Sequence, residues 1–272
     1  MIWQSDHQAE IEPPFGWGWV RLGFRLMLIA FVMFALLGPV LLARLVGWRR
    51  VAERIVQFAC KLVIKIMRFR LHVEGTPLSD AGLIVANHTS WLDIFVSNAA
   101  VPVVFVAKSE VKTWPMIGIF ARAVGTEFII RKRTRTATQK DVLMNRMENG
   151  DRLLLFPEGT STDRQRILPF KSGLFGALHD PHSKVYFPVQ TLAMCYFAPP
   201  KKRKDFYGWY GGMGFKESFF EILAAKKNGD IYLTFGQVLD MRGFSDRKKL
   251  TKYLEQELGK KFDEVRAANL NL

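Results

Sequence analysis

From about residue 70 onward, short apolar runs alternate with stretches of helical periodicity, and few folds accommodate that alternation. The runs are Phe69 to Val73, Leu83 to Ala86, Val103 to Ala107, Glu127 to Ile130, Arg152 to Phe156, Val185 to Leu192 and Ile231 to Phe235. Each has the length of one strand, and strands that are apolar throughout bury both faces. Helical spacing falls between them at 91–99, 116–123, 136–149, 171–179, 215–227 and 245–268. The expected fold is therefore α/β, a mixed sheet flanked by helices. Its final helix is expected to open at Ser245, with Asp246 in an acidic first turn. No internal repeat or low-complexity segment interrupts the pattern.

Residues 1–69 read differently, as an N-terminal membrane-anchoring helical segment ahead of an α/β domain at 70–272. Leu26 to Ala43 is 18 residues without a charge. As one helix it would span roughly 27 Å, short for a bilayer core of about 30 Å. Gly38-Pro39 is expected to kink or break it. Arg21 and Arg25 precede the run and Arg44, Arg49 and Arg50 follow it, so charge assigns no orientation. No small-residue cleavage site follows, which argues against a removed signal. Trp17 and Trp19 suit a membrane interface. Over Val51 to Phe69, Arg54, Lys61, Lys65 and Arg68 share one helical face and Ile55, Phe58, Leu62, Ile66 and Phe69 another. That pattern fits an interfacial helix or an ordinary surface helix packed on the core. Together the two segments read as a hairpin that dips into one leaflet, the run being too short and interrupted for a comfortable crossing.

Charge and composition narrow the partners. Lys plus Arg number 39 against 25 acidic residues, a net charge of +14. Nucleic acid, anionic lipid and an acidic protein all suit such a surface. An apolar content of 49%, with 22 Phe and 7 Trp, favours a chain that works against a bilayer. Cys60 and Cys195 form no metal or disulfide pattern.

Two stretches carry chemistry. Asn87-His88-Thr89-Ser90-Trp91-Leu92-Asp93 follows the run ending at Ala86, which puts His88 in a strand-to-helix turn and Asp93 in the first helical turn. A carboxylate there would fix the imidazole tautomer and leave the other ring nitrogen as a base. Ser90 is an expected helix N-cap, and Ser90-x-x-Asp93 also matches a capping box that needs no chemistry. Phe156-Pro157-Glu158-Gly159-Thr160-Ser161 leaves the end of another strand, where open α/β sheets bind ligands. Alone it reads equally as a Pro-Gly turn.

In combination, Asn87-His88 to Asp93 and Phe156 to Thr160 resemble the glycerolipid acyltransferase family, whose hallmarks are NHxxxxD and FPEGT. Gly125-Thr126-Glu127-Phe128-Ile129-Ile130-Arg131 resembles a third block, with Ile130 where Asp usually stands. Phe187-Pro188-Val189 resembles the last block, and Lys108 is similar to the family's head-group lysine. The resemblance covers about residues 70–195. It implies acyl transfer from a thioester to a lysolipid hydroxyl, with His88 and Asp93 catalytic and Glu158, Gly159, Thr160, Ser161, Lys108, Arg131 and Pro188 binding substrate. No Gly-x-Ser-x-Gly is present, so direct attack by the acceptor on the thioester is expected, with main-chain N–H groups near Gly159 and Thr160 receiving the oxyanion.

Members acylating lysophosphatidic acid commonly carry Arg after FPEGT, where this chain has Ser161. The run FPEGTSTD is similar to the lyso-ornithine lipid O-acyltransferase branch, so a lyso-aminolipid is the expected acceptor, with lysophosphatidic acid the alternative. Acyl carrier protein or acyl-CoA is the expected co-substrate, with no bound cofactor, no metal and no nucleic acid. The expected location is the inner (cytoplasmic) membrane, with the site facing the cytoplasm. A membrane-tethered binding protein and a hydrolase using the same pair are the rivals. Lys201-Lys202-Arg203-Lys204 fits a docking patch or a solvated loop, and Trp209, Tyr210, Phe215, Phe219 and Phe220 fit an interfacial patch, an acyl-channel wall or core.

Overall fold

The computed structural model describes residue 3 and residues 11–109, 125–129, 136–175 and 187–269. Two helices open the chain, α1 (Trp17–Leu45) and α2 (Arg49–Ile66). Then come β1 (Arg70–Glu74), β2 (Gly82–Ala86), α3 (Asp93–Ala100), β3 (Val104–Lys108), β4 (Glu127–Ile129), α4 (Thr136–Glu148) and β5 (Arg152–Leu155). The chain closes with β6 (Pro188–Phe197), α5 (Phe215–Ala224), β7 (Asp230–Asp240) and α6 (Arg247–Ala268). The strands form one sheet in the order β1-β7-β6-β2-β5-β3-β4. All neighbours are parallel except β6 and β7, so the sheet is mixed, as the apolar runs predict.

β2 lies near the centre and every residue in it is buried, which is what Leu-Ile-Val-Ala with no polar alternation demands. On one face Ile84, Ala86 and Leu154 join Cys60, Val63 and Ile64 of α2 and Val96 of α3 in a single cluster. On the other, Leu83, Val85 and Leu153 pack with Leu250, Leu254 and Leu258 of α6. The helix expected at 116–123 lies outside the described residues. Of the stretch 171–179, Ser172–Leu174 forms a single 3-10 turn and residues from 176 lie outside.

Three local expectations change. α1 runs unbroken through Pro39 from Trp17 to Leu45. Pro39 forfeits one helical hydrogen bond, and the long apolar neighbourhood on both sides keeps the rest of the ladder. α2 is not solely interfacial, because Ala52, Ala59, Cys60, Val63 and Ile64 bury a face against the core. Phe58 nevertheless stays exposed, as do Arg54, Lys61 and Lys65. α6 begins one residue later than Asp246, which is itself the N-cap and accepts from the N–H groups of Lys248 (2.7 Å) and Lys249 (3.0 Å).

The hairpin is bolted to the sheet domain by arginines that sequence alone assigned to membrane flanks. Arg25 is buried, and its Nη1 donates to the carbonyls of Leu223 and Ala225, both at 2.7 Å. Arg21 Nε donates to the Ala224 carbonyl at 2.8 Å. These are carbonyls at the end of α5, which no later helical turn satisfies, and the positive charge also suits the negative end of the helix dipole.

Candidate active site

β2 ends at Ala86, and the next residue sets the site's frame. Asn87 is buried, and its side chain donates to the Met194 carbonyl (2.9 Å) and accepts from the Met194 N–H (2.8 Å). It thus continues the β2–β6 ladder where the main chain of β2 turns away. That frees His88 to face out of the sheet end. Its Nδ1 lies 2.7 Å from Asp93 Oδ2. With Nδ1–H donating, Nε2 is the free basic nitrogen; it has no partner among the described residues, and the side chain is 23% exposed. The ring stacks on Phe156, centroids 4.2 Å apart and planes 15° from parallel.

Asp93 is completely buried and receives donors from every side. Besides His88, its Oδ2 accepts the main-chain N–H groups of Thr89 (2.9 Å) and Ser90 (3.1 Å), while Oδ1 accepts the Tyr196 hydroxyl. A buried carboxyl with this many donors is fixed in orientation. The capping box is only half formed. The acidic side chain reaches back to main-chain N–H groups, but α3 starts at Asp93 with Leu92 as its cap, and Ser90 Oγ is buried without a partner among the described residues. Ser90 is therefore not the cap.

The second motif serves mainly as the clasp. Glu158 is buried; Oε1 accepts the His88 N–H and Oε2 the Leu168 N–H, both at 2.8 Å. Burial pushes its carboxyl up to about 8 against the pull of those two donors. Of the two roles expected of Glu158, holding the acceptor or holding the loop, these bonds are those of the loop. Gly159 takes φ +74°, the left-handed turn a side chain disfavours, and its N–H returns to the Phe156 carbonyl at 3.2 Å. It is consequently not an oxyanion donor, whereas the Thr160 N–H has no partner among the described residues. Thr160 Oγ1 accepts the Trp3 N–H at 3.3 Å. Ser161 is buried and its hydroxyl donates to the Trp209 carbonyl, away from any ligand. Thr162 N–H donates to the His88 carbonyl at 3.0 Å, completing the link between the two loops.

Pro188 is not at this site. Val189 pairs with Leu83 and Leu192 with Ala86, so Pro188 stands level with the start of β2, six residues or roughly 20 Å from His88 at about 3.3 Å per residue. Lys108 closes β3 at the same sheet end as His88, its side chain being outside the described set, and Arg131 lies wholly outside it. Sequence reasoning missed Tyr196, having ended its strand at Leu192 while β6 runs to Phe197. A tyrosine four residues beyond the apolar run was the available signal, since a buried hydroxyl needs a partner.

Trp209 was grouped with the aromatics rather than the site, yet its N–H donates to the Thr89 carbonyl at 3.0 Å. At the preceding Gly208 a Cβ would stand 3.0 Å from the main chain of Thr162 and Asp163, so a side chain there would press on the FPEGT loop's continuation. Trp209, Phe215 and Phe219 form a half-buried aromatic band with Trp91 and Phe95, and Trp19 of α1 meets Phe220. Tyr210 is buried and bonded to Asp205. Within the basic run, Arg203 pairs with Glu221 (2.5 Å) and Asp205 (2.9 Å), leaving Lys201 and Lys204 exposed.

An imidazole held by a buried carboxylate thus stands at the strand ends of an α/β sheet, clasped by a second loop, an arrangement able to take a proton from a hydroxyl. Residues 68–194 match the family model described as Acyltransferase. A lyso-ornithine lipid O-acyltransferase of Rhodobacter capsulatus is 37% identical over 260 residues, covering 93% of this chain and 94% of the relative. A lyso-ornithine lipid O-acyltransferase of Rhizobium meliloti is 32% identical, covering 89% and 86%. A 1-acyl-sn-glycerol-3-phosphate acyltransferase of Neisseria gonorrhoeae is 32% identical, covering 65% and 67%. In fold, the chain is similar to PlsC, the 1-acyl-sn-glycerophosphate acyltransferase of Thermotoga maritima, with a TM-score of 0.66 at 22% identity over 92% of this chain and 98% of that one. The chain belongs to the acyltransferase family. α1 is long and apolar enough to cross a membrane, with a mean hydropathy of 2.7 over its most apolar 18-residue stretch.

Proposed function

We propose that the protein O-acylates a lyso-aminolipid such as lyso-ornithine lipid, with His88 as general base and Asp93 as its orienting partner. His88 Nε2 removes the proton from the acceptor hydroxyl as the oxygen attacks the thioester carbonyl. The tetrahedral oxyanion is received by main-chain N–H, of which Thr160 offers a free one, and its collapse expels the thiolate, which takes up the proton from His88. No cofactor enters the cycle. Acyl carrier protein or acyl-CoA supplies the thioester, and Lys108 and Arg131 serve as cations for the acceptor's head group. The half-buried band of Phe95, Trp209, Phe215 and Phe219 seats acyl chain, between the dyad's turn and α1.

Similarity to the two lyso-ornithine lipid O-acyltransferases over nearly the whole chain carries the choice of acceptor. Ser161 supports it: its hydroxyl is turned onto Trp209, so the position offers no bidentate clamp for a phosphomonoester. The anchor is the α1–α2 hairpin of residues 1–69, dipping into the cytoplasmic leaflet of the inner membrane with the site facing the cytoplasm. Purified enzyme given lyso-ornithine lipid and lysophosphatidic acid separately, with acyl carrier protein thioester and acyl-CoA as donors, tests the reading. Diacylated ornithine lipid is the expected product. Exclusive use of lysophosphatidic acid, or release of free fatty acid alone, overturns it.

A further inference from the structure

A second charged site lies at the opposite end of the sheet from His88. A cavity of about 480 Å³ opens where β3 and β5 begin, beside the bend between α1 and α2. Four arginines line it, Arg44, Arg49, Arg146 and Arg152, against two carboxylates, Glu53 and Asp151. The carboxylates are already engaged. Asp151 is held by Arg49 and by Arg146 (3.3 Å), and Glu53 lies 3.1 Å from Arg49 and 3.7 Å from Arg152. Arg146 also pairs with Glu127 at 2.9 Å, so one positive charge remains in excess. The guanidinium of Arg44 is the lining cation with no partner among the described residues, and it lies over Gly125, whose Cβ would stand 3.3 Å from its Nη2.

The rim decides what kind of anion fits. Arg44 is flanked on α1 by Leu41 and Leu45 and, across the bend, by Trp48, the last two being 84% and 64% exposed. A soluble anion gains nothing from those side chains. A lipid gains from both, its phosphate meeting the guanidinium fork and its chains lying along the apolar rim. The exposed apolar stripe of α1, from Trp17 through Phe24, Phe31 and Phe34 to Leu45, is continuous with this rim.

We propose that the cavity at the hairpin bend binds the phosphate of an anionic membrane lipid through Arg44, at a site separate from the acyl-transfer centre. An occupied site pins the bend at head-group level while the catalytic end takes substrate from the same surface.

Flotation of the full-length protein with mixed phosphatidylcholine–phosphatidylglycerol vesicles, and with pure phosphatidylcholine, tests this. Arg50 is an exposed neighbour outside the lining and serves as control. Loss of one surface cation weakens anionic-vesicle binding about fivefold, so Arg50→Ala should do no more than that. Arg44→Ala should lose at least about thirtyfold, a charge-assisted contact with its surface charge, and neither variant should change binding to pure phosphatidylcholine. Equal losses for the two variants overturn the proposal. So does binding of inorganic phosphate that depends on Arg44 while the vesicle affinities of the variants stay equal, since the cavity would then take a free anion.

Discussion

At the scale of single residues, the site is a matter of which polar atoms remain available. His88 Nε2 is open while Nδ1 is held by Asp93, so His88→Ala should leave the fold intact, read by circular dichroism, and lower kcat at least about a hundredfold. Tyr196 is the partner that the motifs do not announce. Burial and the neighbouring Asp93 raise its hydroxyl well above the usual tyrosine value, so it stays protonated and only donates. In Tyr196→Phe the Asp93 charge loses that donor and bears more strongly on His88. The expected result is a roughly tenfold lower kcat, the cost of about one lost charge-assisted hydrogen bond. Glu158 titrates in the opposite sense to a paired surface carboxylate. Its folded-state value of about 8 lies above the unfolded 4.5, so its contribution to stability is complete below 4.5 and is lost as pH rises through about 8. Denaturant titrations across that window should show a steeper loss in wild type than in Glu158→Gln. The variant should start about 1–3 kcal/mol lower, because an amide presents one acceptor to two main-chain donors.

Among the elements, α1 changes meaning most between sequence and structure. Its arginines look like membrane flanks in the sequence, yet Arg21 and Arg25 close the end of α5. Nothing local signals this, since the acceptors lie about two hundred residues away along the chain. Arg25→Met should leave two carbonyls without a donor and cost about 3 kcal/mol, a drop of roughly 6–12 °C in melting temperature for a chain of this size. β2 shows the reverse case. Its run of Leu83 to Ala86 is legible because a strand buried on both faces favours an unbroken apolar run, and it is found with one further residue at its start. β6 was read too short because Met194, Cys195 and Tyr196 lack a turn signal to end or extend the run, and its true length brings Asn87 and Asp93 their partners.

For the whole molecule, one flank of the hairpin is core and the other is left to a membrane. Phe24 and Phe31 are exposed on the same stripe of α1. Replacing both by Asp should lower vesicle partitioning at least about a hundredfold with the melting temperature unchanged, at about 2 kcal/mol per lost aromatic. The alternation of apolar runs and helices, the two motifs and the basic, aromatic-rich composition follow from the linear order of residues, because periodicity and short-range spacing are properties of the chain itself. So does the nearness of His88 to Asp93, five positions apart. Pairings between distant segments are not written in that order: the Tyr196 hydroxyl on Asp93, the Glu158 clasp, the arginines under α5 and the removal of Pro188 from the site. Strand register and helix docking settle these, since a one-sided constraint on burial says that a polar atom must find a partner but not which one.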